Sequence, residues 1–289
     1  MTSIEPELVL DPGCRLGEGP LWHPLENRLY WIDIPTGTIY RFSPGSPGLE
    51  SFPTGEVIGG YTIQEDGSLL LFGAKGSVRR WREGQITPLL DQIPGEAETR
   101  FNDVIATPEG GVFCGTLDSP DHDGSLYYLS PAGEIRQVLR EVLCSNGMGF
   151  DLPRGLFYHT DTDRQEIACF DYQGDGRLAN RRLFARIAGD AGLPDGLTVD
   201  AEGYVWSARW KGSCLVRYDP QGNEVLKIAF PALRVTCPIF GGAEYGDLYV
   251  TTAGGDLKQS EGWGAGALFR LHPGVRGVPE LLSRVRMQA

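Results

Sequence analysis

Apolar positions along the chain come in short runs broken by polar, glycine-bearing turns, and no 3.6-residue period persists long enough for a substantial helix. One pattern recurs: an apolar run, a turn, a strand rich in aromatic and β-branched residues, then a further strand closing on an aromatic or Leu. Taking the first apolar residue after each turn as an anchor gives Leu29, Leu69, Val112, Leu156, Val205 and Leu248, spaced 40, 43, 44, 49 and 43 residues apart. Units of about 44 residues with this strand content predict an all-β fold, a six-bladed β-propeller with four-stranded antiparallel blades. No Pro/Ser-rich linker interrupts the repeat, so residues 1–289 are expected to form a single propeller domain rather than two β domains or a sandwich. Leu8-Val9-Leu10 precedes the first unit and is placed to add a strand to the last blade, closing the ring and covering an open sheet edge.

Counting back ten residues from each anchor predicts a position just before the innermost strand of every blade. These positions are Gly59, Asn102, Asn146, Asp195 and Pro238 in units two to six, and Gly19, preceded by Glu18, in unit one. Equivalent positions in a propeller circle one axis, so Glu18, Asn102, Asn146 and Asp195 are expected to converge on a tunnel mouth. Each alone is an ordinary turn residue that could satisfy local backbone. Together they bring two carboxylates close, and the repulsion calls for a positive partner. A divalent cation with hard oxygen ligands fits that need. The four His lack zinc-protease spacing, which disfavours an all-nitrogen zinc site. The loops 118–124 and 254–265 are the longest on the predicted ligand face and are either a substrate wall or solvated insertions. Arg209 and Trp210 end a strand on that face, where they could meet a sugar or simply pack.

Composition narrows the function. Forty glycines are about twice the usual ~7 %, as a turn-rich chain requires. Lys and Arg number 26 against 38 Asp and Glu, a net charge of −12 that argues against nucleic acid and anionic membrane as partners. No run of about 18 apolar residues and no signal-like start occur, and the six cysteines include no Cys-x-x-Cys pair. The expectation is a cytoplasmic protein, monomeric by default, with reduced and mostly buried thiols.

The strings RLGEGPLW, TRFNDVIATPEGGVFCGT, SNGMGFD, FYHTDT and LPDGLTVDAEGYVWSARW resemble, in order, the senescence marker protein / gluconolactonase / luciferin-regenerating enzyme family, from about residue 14 to 272. That family includes regucalcin and bacterial sugar lactonases, and the resemblance implies the same six-bladed fold. It implies that Glu18, Asn146 and Asp195 hold one divalent metal ion (Ca, Mn, Fe, Mg or Zn) and that Arg100 and Asn102 contact the substrate. The implied activity is hydrolysis of a sugar lactone, an aldonolactone such as glucono- or xylonolactone, to its aldonic acid, with Asp195 as general base. The chain lacks a Gly-x-Ser-x-Gly elbow, which disfavours an acyl-enzyme. Two other readings are a regucalcin-like calcium-binding regulatory protein and a non-catalytic interaction propeller.

Overall fold

A computed structural model describes residues 4–46 and 48–287. Six four-stranded antiparallel sheets follow one another along the chain. The inner strands are Gly17–His23, Ile58–Ile63, Phe101–Ala106, Ser145–Asp151, Leu193–Val199 and Val235–Gly241, for blades one to six in turn. All six anchors lie at the start of the second strand of a blade, which is why one spacing rule found every blade. Strand Glu7–Leu10 pairs antiparallel with Leu268–Leu271, so the chain's beginning completes the last sheet as expected.

The core is divided among the seams between blades. One apolar cluster lies at each seam, for example Tyr30, Ile32, Ile63 and Leu69 between blades one and two. The closing seam, between blades six and one, is built of Cys14, Trp22, Leu29, Trp31, Tyr249 and Leu268, with Trp22 stacked on Tyr249 at 6.2 Å between ring centroids. Burial of these large side chains holds the ring together, each worth roughly 1.5–3 kcal/mol against exposure.

After the last strand the chain does not leave the molecule. Residues 276–286 run across the face where the inner strands end. The Gly277 N–H donates to Tyr245 in blade six, and the Arg276 carbonyl accepts from Ala201 in blade five. Farther along, Ser283 N–H donates to Ile63 in blade two and Arg284 N–H to Gly110 in blade three. Gln64 fixes Val285 through both halves of its amide. Nothing in the repeat announced this strap, because it lies beyond the last unit.

Among the described residues the only α-helix, Lys258–Glu261, has four residues. No helix there is long and apolar enough to cross a membrane. All six cysteines are free; five are buried, and Cys144 is partly exposed.

Candidate active site at the tunnel mouth

Every inner strand slips its register at the same level, between Glu18 and Leu21, Ile58 and Gly60, Phe101 and Val104, Asn146 and Met148, Pro194 and Leu197, and Val235 and Pro238. A bulge sets an extra residue against one partner and re-aims its side chain. The site residues therefore sit inside the inner strands, on a ring of bulges, and not just before those strands as the spacing suggested. Close approach of neighbouring blades explains the glycines that follow them. A Cβ on Gly147 would stand 2.5 Å from the Asp195 carbonyl oxygen, and one on Gly196 2.4 Å from Cys237 Sγ. Only hydrogen fits there.

Glu18, Asn102, Asn146 and Asp195 are all buried; Asn146 and Asp195 touch directly, and Glu18 feels the charges of Asp195 and Asp103. Asn146 Nδ2 donates to Asp195 Oδ1 at 2.5 Å. The Asn146 carbonyl oxygen accepts from its own Gly147 N–H, and Glu18 Oε2 accepts from Gly19 N–H, each at 2.9 Å. Asn102 Nδ2 donates to the Ser145 carbonyl at 2.9 Å, while its oxygen accepts from Arg100 Nη1 at 2.8 Å. Ser145 is itself held by a buried 2.9 Å hydrogen bond between its Oγ and His159 Nε2. Burial pushes the His159 imidazole down to about 4, so it stays neutral near pH 7.

Two members of the ring escaped the sequence reading. The bulge turns Asp103 toward the channel alongside Asn102, and in blade six it is the Cys237 thiol that faces the carboxylates, with Pro238 one step deeper on the channel wall. The alternation of an ordinary strand would have hidden Asp103; its position directly after Asn102 in the bulged motif was the available signal. Arg209, left open at the outset, is fully buried and spends its guanidinium on Ser207, Ala208 and the Tyr218 hydroxyl. Trp210 lies under the Arg234 guanidinium, 4.8 Å from the ring centroid, as a packing pair on the rim. In the 118–124 loop, the Ser119 hydroxyl donates to the His122 carbonyl and accepts from the His122 N–H, and His122 Nε2 lies 2.7 Å from the Gly95 carbonyl. The 254–265 loop is tied down by Arg234 on Glu261.

Electrostatics set this ring apart. Burial, then the charges of Asp195 and Asp103, raise the Glu18 carboxyl well above its usual range. Burial and the Asp103 charge do the same to Asp195, against the Asn146 hydrogen bond and the Gly196 N–H. Asp103 is pushed up to about 7 by burial, opposed by the Arg100 charge. Two guanidiniums act on these acids from a distance, Arg100 and Arg209, but their hydrogen bonds go elsewhere. Glu18 and Asp195, both buried, and the half-buried Asp103 thus share too little positive charge, an arrangement that costs several kcal/mol per buried ion when uncompensated.

The donor set fits a divalent cation. Among the described residues no three His, Cys, Asp or Glu side chains cluster closely enough to hold an ion unaided. The Glu18 and Asp195 carboxylates and the Asn146 amide oxygen are hard oxygen donors, the kind a divalent cation takes.

Comparison with known proteins follows the same outline. Residues 16–254 match the SMP-30/Gluconolactonase/LRE-like region. Pentonolactonase XacC of Haloferax volcanii is 44 % identical over 287 residues, covering 96 % of this chain and 98 % of that one. Regucalcin of Danio rerio is 33 % identical over 293 residues, with 96 % and 98 % covered. Among solved structures, a luciferin-regenerating enzyme superposes with a TM-score of 0.90 over 98 % of this chain and 100 % of its own; at 22 % identity that likeness bears on the fold alone.

Proposed function

The chain belongs to the SMP-30/gluconolactonase/LRE-like family, and from that premise we propose that it hydrolyses a sugar lactone to the open aldonic acid with the help of one divalent cation. The observation that carries the reading is the set of three carboxyls, the buried Glu18 and Asp195 with the half-buried Asp103, that feel one another's charge and have no ion-paired partner. Glu18, Asn146 and Asp195 would hold the cation. When bound, it supplies Lewis acidity toward the lactone carbonyl and acidifies nearby water.

The protein's own groups do the rest. Asp195 takes a proton from the attacking water as oxygen adds to the carbonyl carbon. The ring C–O bond then breaks, Asp195 returns its proton to the departing ring oxygen, and the new carboxylic acid gives up its proton to solvent to become the carboxylate. Arg100 and Asn102, locked to one another at 2.8 Å, orient the sugar hydroxyls. The Asn102–Ser145–His159 chain of hydrogen bonds holds that pair in register between blades three and four.

The 44 % relative bears the name pentonolactonase, which favours a five-carbon aldonolactone over a six-carbon one. Six free cysteines suit a reducing cytoplasm. A calcium-binding regulatory role would use the same ligands, as the regucalcin name suggests. A pH-stat assay separates the two. After chelation and refilling with Ca²⁺, Mn²⁺, Fe²⁺, Mg²⁺ or Zn²⁺, at least one ion restores opening of xylono- or arabinonolactone well above the spontaneous rate. An enzyme fully active without metal, or a metal-loaded protein no faster than buffer, would refute the proposal.

A further inference from the structure

Below the ring of bulges the tunnel widens into a cavity of about 370 Å³. Its walls are largely apolar, with Leu21, Val104, Ile105, Met148, Leu197 and Ile239 among them. Asp103 borders it at the catalytic end, and its floor is the strap, residues 278–281. The floor does not seal it. Leu152 and Val278, both of which line the cavity, are 46 % and 49 % exposed, so the opening lies on the face opposite the carboxylate ring.

Within this floor sits an acid that the catalytic reading leaves unused. Glu280 is half-buried in the strap and lines the cavity. The hydrogen bond acting on its carboxylate comes from the Leu281 N–H, and no positive charge is among the influences on it. The titratable groups that feel its charge are Tyr61 of blade two and Tyr245 and Cys237 of blade six, none of them cationic. An apolar chamber with an unpaired carboxylate in its floor, and Asp103 at its far end, has the complement of a cation carrying a hydrophobic body: burial rewards the body, and pairing removes the penalty on the acid. The volume falls within the range of pockets for small organic ligands.

We propose that this cavity is a second ligand site, entered from the face opposite the lactone site, that binds a small organic ammonium ion with an apolar body, its head group paired with Glu280. Burial without a countercharge pushes the Glu280 carboxyl up to about 7. Its charge therefore appears between pH 6 and 8, and ammonium affinity rises with it: the ionised fraction grows from about a tenth to about nine-tenths over that interval.

The probe is benzylammonium chloride, with benzyl alcohol as its neutral counterpart, titrated calorimetrically into the intact calcium-loaded protein. Benzylammonium binds at least tenfold tighter than the alcohol at pH 8, and the margin shrinks about tenfold at pH 6. Glu280→Gln abolishes the margin, while Ile105→Phe, which adds bulk inside the cavity, weakens both ligands and provides a second arm should the first variant fold poorly. Lactone hydrolysis shows no competitive inhibition by the amine, because the two mouths are on opposite faces. Equal affinity for alcohol and ammonium, an undiminished preference in Glu280→Gln, or amine binding that competes with lactone would each overturn the site.

Discussion

Asp195 and Asp200 belong to the same stretch of blade five, five residues apart and both buried, yet they live in opposite electrostatic worlds. Asp200, at the far end of the inner strand, accepts from Trp206 Nε1 at 2.9 Å, from Arg217 Nη2 at 2.6 Å, and from the backbone N–H groups of Glu202 and Tyr204 at 3.0 Å. Blade four repeats the contrast: Asp151 is bound by its own Arg154 at 2.7 Å, while Asn146 at the other end of the strand reaches toward Asp195. One face of the propeller thus gives each of these buried acids a guanidinium partner, and the other gathers three and withholds one. The first arrangement is architecture. The second leaves its acids short of partners.

Removing Asp200 attacks the architectural end and carries the largest expected effect. Asp200→Ala leaves the Trp206 N–H and the Glu202 and Tyr204 backbone N–H groups without their acceptor and Arg217 with Glu202 as its one acidic partner, and should cost about 3–5 kcal/mol of stability in a denaturant titration. The folded fraction keeps near-normal kcat, since no catalytic group moves; a stable but inactive variant would erase the distinction between the two ends. At the opposite end, Asp195→Asn should cut lactone turnover by at least ~10²-fold, about 2.7 kcal/mol of barrier, with little loss of stability. Wild-type turnover in that variant would remove Asp195 from the mechanism.

The smallest effect concerns pH. Glu18, Asp103 and Asp195 all have folded-state values raised above the ordinary carboxylate range. The folded state then binds more protons than the unfolded one, so metal-free stability is greatest below pH 4 to 5 as far as these groups are concerned, and declines as pH climbs through about 7. Thermal melts of chelated protein should fall by a few degrees from pH 5 to 8, and calcium should flatten that slope. A metal-free melt that rises over the same interval would mean that these acids are better compensated than their surroundings indicate.

The repeat made the architecture legible because a propeller imposes one period on the whole chain, and the anchors Leu29 to Leu248 all fall in equivalent second strands. Counting from those anchors also located Glu18, Asn102, Asn146 and Asp195, since equivalent positions must circle the axis. What counting missed, it missed for one reason: a bulge breaks the two-residue alternation. Asp103 and Cys237 face the channel because of that break. Arg209 stayed open in the sequence for a different reason: a strand-end position says nothing about whether a guanidinium will be consumed by Ser207 and Tyr218 beside it. The strap of residues 276–286 lies outside the repeat, and its destination across four blades depends on backbone groups that every residue carries.

That strap and the N-terminal strand make the chain a belt with two buckles. One is a β-ladder that joins the beginning of the chain to the rim of the last blade. The other is a bar laid across the wheel by the end of the chain. Force or a protease acting at one terminus releases only its own buckle and leaves the other fastened, so trimming a few residues from either end should loosen the wheel without letting it spring open.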